Sequence, residues 1–230
     1  MEKRILVTGG SGLLGTALKK VLPEVTKTVK DTVVFYPTSK HLNLLNKTDV
    51  DFCFRNYNPT HVIHLAAKVG GVNGNTKYVA DFFTENAEIN INVLEASKNC
   101  GAKLLSVMST CVYPDAEYVK YPLTEEQLHL GPPHESNFGY AYAKRMLDVQ
   151  SRAYRQQHGC NFITAIPNNL YGINDHFDLE NGHVIPALIR KIWEAKLSNS
   201  PEVEVWGSEN TRREFSYADD IANILVNLLH

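Results

Sequence analysis

Residues 3–15 read KRILVTGGSGLLG, and this stretch decides the fold of the chain. The apolar run at residues 5–7 predicts a buried strand, and the periodic segment at residues 13–21 predicts a helix. Between them the glycines predict a sharp turn, a close approach of the backbone to a pyrophosphate, and tight packing of helix on strand. Strand, glycine turn and helix in this order predict a dinucleotide-binding site. The residues predicted to bind the cofactor here are Gly9, Gly10, Ser11, Gly12, Leu13, Leu14 and Gly15.

The composition is that of an ordinary globular protein. The chain has 230 residues, 43% of them hydrophobic, and a formal net charge of -2, which gives no electrostatic reason to bind nucleic acid or an acidic membrane. The four cysteines have neither paired nor metal-ligand spacing, so we expect free thiols and no metal site. The first predicted strand begins within a few residues of Met1, so we expect no leader segment, and no apolar run is long enough to cross a bilayer. We therefore expect a cytoplasmic protein.

Strand patterns and helical patterns alternate along the chain. Strands are predicted at residues 32–35, 61–65, 103–108 and 161–166, and helices at residues 49–57, 79–100 and 140–158. The alternation predicts right-handed β-α-β crossovers, so we expect an α/β fold with a Rossmann-like, doubly wound parallel sheet. The glycine-rich residues 68–74 and the polar residues 115–137 are expected to be loops. His61 and His64 are expected to be packing residues of the third strand.

The end of the second predicted strand indicates which dinucleotide binds. Proteins that prefer NAD carry an acidic residue there, which accepts a hydrogen bond from the ribose 2′-hydroxyl. Here the strand continues into residues 36–41 without a carboxylate, while Ser39 and Lys40 supply a hydroxyl and a cation that suit a 2′-phosphate. We therefore predict NADP(H) rather than NAD. The end of the third strand, Leu65, Ala66 and Ala67, is expected to lie beside the cofactor.

The regular alternation of strand patterns and helical patterns ends after Gly172. We therefore divide the chain into an NADP-binding Rossmann domain at residues 1–172 and a partial C-terminal substrate-binding part at residues 173–230. The second part is predicted to hold a loop at residues 174–182, a helix at 184–195 and a short strand at 203–206. Residues 215–217 and a helix from Asp219 are expected to return to the sheet.

Tyr140 and Lys144 are a candidate catalytic pair. They are four residues apart, so on a helix they share one face. A free tyrosine titrates near pH ~10, and a nearby ammonium stabilises the phenolate. We therefore expect Tyr140 to be a proton donor with a lowered pKa. Ser109 follows the fourth predicted strand and is expected at the same edge of the sheet.

The glycine turn, Ser109, and Tyr140 followed four residues later by Lys144 resemble the extended short-chain dehydrogenase/reductase family. Within it the chain is most similar to enzymes that epimerise a GDP-4-keto-6-deoxy-D-mannose at C3 and C5 and reduce it at C4. The segments that carry this similarity are residues 66–71, 109–114, 131–134, 137–140, 182–188 and 205–207. The resemblance implies that the serine and tyrosine bind the reacting oxygen, while the lysine holds the nicotinamide ribose.

The same resemblance implies roles for further residues. Cys111 and His183 would exchange protons at C3 and C5, because a thiol and an imidazole both titrate near neutral pH. Tyr140 would then protonate the alkoxide that forms at C4, with a hydrogen bond from Ser109. The residues implied to line the nicotinamide end of the cofactor site are Pro167, Asn168, Asn169, Leu170 and His183. Those implied to bind the nucleotide-sugar are Lys191, Trp206 and Arg213.

Chain length and assembly also follow from the resemblance. Members of this group continue well past the position of His230 and complete the sugar-nucleotide pocket there, so we expect substrate binding to be weaker than cofactor binding in a chain of this length. The long helices at residues 79–100 and 140–158 are expected to form a four-helix contact in a homodimer.

Two other functions fit parts of the sequence. One is another nucleotide-sugar enzyme of the same fold: a 4-epimerase needs no cysteine–histidine pair, and a 4,6-dehydratase usually has acidic residues where Cys111 stands. The other is a non-catalytic NADPH-binding protein that regulates a partner. The intact Tyr140 and Lys144 argue against that second function.

Overall fold

A computed structural model describes residues 2–26, 31–70, 72–179, 182–205, 207 and 210–229. The strands are β1 (Lys3–Thr8), β2 (Thr32–Phe35), β3 (His61–His64), β4 (Lys103–Val107), β5 (Phe162–Ala165), β6 (Asn169–Tyr171) and β7 (Phe215–Tyr217). The helices are α1 (Leu13–Thr26), α2 (Lys47–Tyr57), α3 (Val72–Lys77), α4 (Val79–Cys100), α5 (Phe138–His158), α6 (Val184–Ser198) and α7 (Ala218–Leu229). Residues 108–137, between β4 and α5, form an irregular segment with short 3₁₀ turns.

Five parallel strands form the central sheet in the order β2-β1-β3-β4-β5. The sequence pattern predicts the parallel sheet but not this order. The α/β class and the Rossmann-like topology are therefore confirmed. β2 lies on one side of β1 and β3 lies on the other, so the order of the strands reverses direction at β1. Crevices at such a point, outside the carboxyl ends of the strands, are where ligands bind in open α/β sheets.

Alternate residues of the inner strands enter two different cores. Ile5 and Val7 of β1 pack on one face with α1 and α7, whereas Leu6 packs on the other face with α2, α4 and α5. All three side chains are at most 1% exposed. Burial on both faces explains why β1 is a continuous apolar run rather than an alternating one.

A buried histidine links the sheet to the helix that carries the candidate catalytic pair. His64 is fully buried, with Nδ1 2.8 Å from Thr8 Oγ1 and Nε2 3.1 Å from Asn90 Oδ1. The Asn90 amide in turn donates to the Ala143 carbonyl of α5 over 2.8 Å. Burial lowers the pKa of His64 to about 3, so the imidazole is neutral. A neutral, buried imidazole fits the predicted packing role of His64. The chain of hydrogen bonds holds α5 against the ends of β1 and β3.

The return of the chain after residue 210 differs from the prediction. β7 does not join the central sheet but pairs in parallel with β6, a strand that the sequence pattern does not reveal. Each of these strands has only three residues, too few for an alternating pattern. α7 does pack against the central sheet's helix α1, and Ala222, Leu225 and Leu229 join the core on that face.

Two further local predictions are wrong. Residues 203–205 form no strand, because no neighbouring strand pairs with them in the described part of the chain, and Val205 is 65% exposed. The predicted glycine-rich loop at residues 68–74 is cut short by α3, which begins at Val72 despite the poor helix propensity of its glycine and asparagines. The division of the chain after residue 172 stays a prediction.

Candidate active site

The glycine turn between β1 and α1 brings the backbone close to the end of β3. Gly9 has φ +71°, and a Cβ there would lie 2.7 Å from the Ala66 nitrogen, so only glycine fits without strain. A Cβ on Gly15 would overlap the Gly9 carbonyl oxygen and lie 2.6 Å from Gly10 Cα. At Gly12 the nearest atom is 3.6 Å away, so this glycine leaves open space where a pyrophosphate can approach. The Gly12 N–H donates to the Gly9 carbonyl, and the helical hydrogen bonds begin with Thr16 donating to the Gly12 carbonyl. The N–H groups of residues 13–15 therefore have no helical partner and are available to an anion.

A cavity of about 300 Å³ opens beside this turn. Five of the predicted cofactor residues line it: Gly9, Ser11, Ser39, Ala66 and Ala67. Lys40 is exposed and lies outside its lining. Sequence reasoning missed the loop at residues 42–45, which folds over the cavity, although its alternating leucines at 42 and 44 could have indicated a buried face.

Other predicted cofactor residues contribute only their backbone to this region. Leu14 is 8% exposed and belongs to the core under β1, and Leu13, Leu65 and Leu170 pack against the same core. Their side chains are therefore used for packing. Packing also requires a glycine at position 10, since a Cβ there would lie 2.8 Å from the Tyr36 ring.

Asn168, which the resemblance implies at the nicotinamide end, has a buried polar atom that no described residue satisfies. Asn168 Oδ1 is buried and has no hydrogen-bond partner in the protein, so it can accept a hydrogen bond from a bound amide. The Asn169 amide is used differently, because it donates to the Glu214 carbonyl over 2.9 Å and joins β6 to the segment before β7. Together with the open space at Gly12 and the cavity, Asn168 makes the site fit NADP(H).

The structure does not bear out the predicted lowering of the Tyr140 pKa. The Lys144 side chain is 2% exposed, and its ammonium donates to the Val107 carbonyl at the end of β4 over 2.8 Å. Burial raises the pKa of Tyr140 well above its ordinary value, and the nearby Cys111 acts in the same direction. Burial lowers the pKa of Lys144 to about 8. Desolvation therefore outweighs the attraction that the four-residue spacing suggests.

Cys111 lies in a 3₁₀ turn just after β4, beside the tyrosine and the lysine. Burial raises the pKa of its thiol, while a hydrogen bond from Ser109 and the charge of Lys144 oppose that rise. The charge that the thiol can carry raises the pKa of Tyr140 and that of Lys144. The structure thus brings together four of the five predicted catalytic residues: Ser109, Cys111, Tyr140 and Lys144.

Arg145 is a buried cation that sequence reasoning missed. It is 6% exposed, and its guanidinium donates to the Val112 carbonyl over 2.8 Å and to the Gly131 carbonyl over 2.9 Å. These bonds hold the turn that carries Cys111 against α5. A second basic residue directly after Lys144, on the buried side of the helix, was the signal available in the sequence.

His183 lies apart from this cluster. It precedes α6, its side chain is 65% exposed, and it hydrogen-bonds Asp175 over 3.1 Å rather than Cys111 or Tyr140. Lys191 donates to the Glu204 carbonyl, and Arg213 is exposed and donates to a neighbouring carbonyl. Trp206 lies outside the described residues. The substrate roles of these residues stay predictions.

The described residues contain no disulfide bond, no cluster of metal ligands and no helix that could span a membrane. All four cysteines are free thiols. No group of histidine, cysteine and acidic residues that could hold a metal ion occurs in those ranges. A helix long and apolar enough to cross a bilayer is likewise not found among the described residues.

We expect Gly15→Ala and Gly12→Ala to fail in different ways. At Gly15 the new methyl overlaps backbone atoms, so overpacking should lower the free energy of unfolding by about 1–3 kcal/mol and weaken NADP binding. At Gly12 the methyl enters open space, so stability should stay within about 1 kcal/mol of the wild type while NADP affinity falls. Denaturant titration and fluorescence titration with NADPH measure the two quantities. Equal stability of both variants would contradict the packing geometry.

The buried Lys144 should make stability depend on pH. Its pKa of about 8 in the folded chain lies below the ordinary 10.5, so between these values the unfolded chain binds more protons and stability rises with pH. We expect Lys144→Met to have a higher free energy of unfolding than the wild type at pH 7. The difference between the two free energies should be smaller by about 1 kcal/mol at pH 9. Exposed Lys120→Met is the control and should show no such narrowing. A difference that is constant with pH would show that Lys144 is not desolvated.

Comparisons with known proteins agree with this geometry. The chain matches the NAD dependent epimerase/dehydratase family over residues 5–230. It is 44% identical over 226 residues to a GDP-L-fucose synthase of Dictyostelium discoideum, covering 98% of this chain and 69% of that protein. It is 39% identical over 225 residues to a GDP-L-colitose synthase of Yersinia pseudotuberculosis, with 96% and 70% covered. The crystal structure of a GDP-L-fucose synthetase of Naegleria fowleri bound to NADP is similar with a TM-score of 0.87 and 40% identity, covering 97% of this chain and 72% of that one.

Proposed function

The chain belongs to the NAD dependent epimerase/dehydratase family, and on that premise we propose that it converts GDP-4-keto-6-deoxy-D-mannose to GDP-L-fucose with NADPH as the reductant. The observation that carries this proposal is the Cys111 thiol beside Ser109, Tyr140 and Lys144. A reductase alone needs the serine, tyrosine and lysine. The thiol adds a group that can exchange protons with carbon, which a 3,5-epimerase requires.

Epimerisation uses the acidity that the 4-keto group gives to the C–H bonds at C3 and C5. A base removes the proton from one face, an enolate forms with its charge on the C4 oxygen, and an acid returns a proton to the opposite face. Cys111 and His183 are the groups that exchange these protons. Burial raises the pKa of Cys111 and outweighs the opposing effects of Ser109 and Lys144, so at neutral pH the thiol carries a proton that it can give to the sugar carbon. In the substrate complex the Ser109 hydroxyl, which has a single hydrogen, donates to the C4 oxygen instead of to Cys111 and stabilises the charge that develops there.

Reduction at C4 then needs a proton on the new alkoxide. NADPH supplies the hydride when it is bound. Tyr140 supplies the proton, and its raised pKa keeps the phenol protonated at neutral pH. Lys144, with a pKa of about 8, provides an ammonium close to its own titration that can restore the proton to Tyr140 and bind the nicotinamide ribose.

The remaining binding roles follow the predicted residues. Ser39 and Lys40 bind the 2′-phosphate of the cofactor, and Asn168 binds the nicotinamide amide. Lys191 and Arg213 meet the diphosphate of the substrate, with Trp206 beside them. Guanosine diphosphate as the nucleotide carrier is supported by the names of the two relatives above, each of which is a synthase of a GDP-linked L-sugar.

NADPH oxidation on addition of GDP-4-keto-6-deoxy-D-mannose tests the proposed function. Turnover, with GDP-L-fucose identified by chromatography and NMR, supports it. The matched control is the corresponding UDP-linked 4-keto sugar, which should be a far poorer substrate. NADPH binding without turnover of any 4-keto sugar would favour the regulatory protein that the sequence left open.

We also propose that the chain forms a homodimer in a reducing, cytoplasmic compartment. The compartment is supported by the four unpaired thiols. The dimer is supported by exposed apolar side chains on α4 and α5, two helices that pack against each other. These are Phe83, Ile91, Tyr142 and Val149, each 41–52% exposed. Their spacings of eight and seven residues keep each pair on one side of its helix.

Charged residues in place of these exposed apolar side chains should therefore produce a monomer. We expect the double variant Ile91→Glu and Val149→Glu to have half the wild-type mass by light scattering while its NADPH affinity is unchanged. The control is Phe52→Glu on α2, which is 65% exposed and lies outside the proposed interface. A wild-type protein that is monomeric at all concentrations would contradict the dimer.

A further inference from the structure

Asp175 is a buried carboxylate that the sequence analysis did not single out. Its side chain is only 3% exposed, although it lies in the loop between β6 and α6. Oδ1 accepts a hydrogen bond from the backbone N–H of His176 over 2.8 Å and lies 3.1 Å from Nδ1 of His183. Oδ2 is buried and has no partner in the protein. Such a carboxylate needs a structural or functional reason.

The loop is built so that this carboxylate meets His183. The Asp175 N–H donates to the Gly172 carbonyl, and the Gly182 N–H donates to the Asp178 carbonyl over 3.0 Å. A Cβ on Gly182 would overlap the Asp178 carbonyl oxygen and lie 2.6 Å from the His176 oxygen, so a glycine is required for this return. Arg190 of α6 donates to the Phe177 carbonyl over 3.1 Å. The loop is thus tied to the helix that begins after His183.

The chemistry of the two groups determines where the imidazole proton lies. An ionised carboxylate only accepts hydrogen bonds, so Nδ1 of His183 must be the donor. In a neutral imidazole the other nitrogen, Nε2, is then unprotonated. We propose that Asp175 is a positioning residue that holds the His183 proton on Nδ1 and leaves Nε2 free to accept and return the sugar protons. This inference rests on the proposed function and goes beyond it by assigning the tautomer and its cause.

The tautomer can be measured without any turnover. In ¹⁵N-labelled protein, long-range ¹H–¹⁵N spectra should show Nδ1 of His183 protonated at a pH where the ring is neutral, with the signals assigned by their loss in His183→Gln. Asp175→Ala should shift the ring toward the Nε2–H tautomer. Asp175→Asn, whose amide oxygen can still accept, should keep the Nδ1–H tautomer. A wild-type ring protonated on Nε2, or a ring unaffected by Asp175→Ala, would overturn the proposal.

The consequence for the reaction is measured by exchange of substrate protons with deuterated solvent. Deuterium incorporation at C3 and C5 should fall about 100-fold in Asp175→Ala through kcat, with NADPH affinity unchanged. It should fall less in Asp175→Asn, because the His176 N–H holds the amide oxygen in the Oδ1 position, where it still accepts from His183. Glu194→Ala, which removes an exposed carboxylate paired with Arg190 on α6, is the matched control and should exchange normally. A purely structural role would lower NADPH affinity and melting temperature together with exchange in Asp175→Ala, and it would leave the tautomer of His183 unchanged.

The two experiments separate this inference from the proposed function. Normal exchange in His183→Gln would remove His183 from the proposed reaction, and the tautomer measurement would still decide whether Asp175 sets its proton. Lost exchange in His183→Gln together with normal exchange in Asp175→Ala would overturn the positioning role alone.

Discussion

Tyr140→Phe should lower NADPH oxidation with GDP-4-keto-6-deoxy-D-mannose by about 10²- to 10⁴-fold. The substitution removes only the phenolic hydroxyl, which is the proposed proton donor to the C4 alkoxide. The ring keeps its edge-to-face contact with Phe82, whose centroid lies 6.4 Å away, so the fold and NADPH affinity should be unchanged. Deuterium incorporation at C3 and C5 should also persist, because Tyr140 has no proposed part in epimerisation.

The control for this variant is Tyr142→Phe. It makes the same chemical change two residues away, on a side chain that is 41% exposed on the outer face of α5. Stopped-flow measurement of NADPH oxidation, with fluorescence titration of NADPH, separates hydride transfer from binding. Wild-type oxidation in Tyr140→Phe would show that another group protonates C4. Loss of the same size in Tyr142→Phe would show that the helix, not the hydroxyl, is responsible.

The sequence predicts the central sheet well because each strand carries its own local signal. The runs at residues 5–7, 32–35 and 103–108 are short, apolar or β-branched, and separated by helical periodicity, so their type needs no long-range information. The pairing of β6 with β7 has no such signal, since it joins two three-residue strands 46 positions apart in register. Val203 to Val205 show the converse case. Their alternating pattern fits a strand, yet a strand forms only where a second backbone is there to pair with it.

For the site, the sequence predicts the meeting of four of the five catalytic candidates, but neither the separate position of His183 nor the electrostatics of the cluster. The spacing of Tyr140 and Lys144 correctly places both on the inner face of α5, yet the direction of the tyrosine pKa depends on how deeply the completed fold buries them. Asp175 shows the same limit. It has no periodicity and no motif, and its contact with His183 exists only because Gly182 lets a loop close on itself. Desolvation and loop closure are properties of the assembled fold, so local patterns do not report them.

Cys111→Ser should have the opposite effect to Tyr140→Phe. A serine hydroxyl fills nearly the same space but is a far weaker acid than a thiol, so it cannot exchange the C3 and C5 protons as a thiol can. We expect deuterium incorporation at these carbons to fall about 10²- to 10⁴-fold. Reduction at C4 should continue on the unepimerised sugar, because Ser109, Tyr140 and Lys144 remain. The product should therefore change from the L-sugar to the 4-reduced D-sugar, which NMR distinguishes.

The control for the thiol is Cys53→Ser on α2. Cys53 packs against the core on the α2 face of the sheet, outside the candidate active site, so its variant should epimerise and reduce at wild-type rates. Together the Cys111 and Tyr140 variants form a crossed test, in which each loses one half-reaction and keeps the other. If Cys111→Ser lost exchange and reduction equally, with NADPH still bound, the thiol would be needed to place the sugar rather than to move its protons. The crossed pattern arises only if two proton-transfer groups act on different carbons of one substrate.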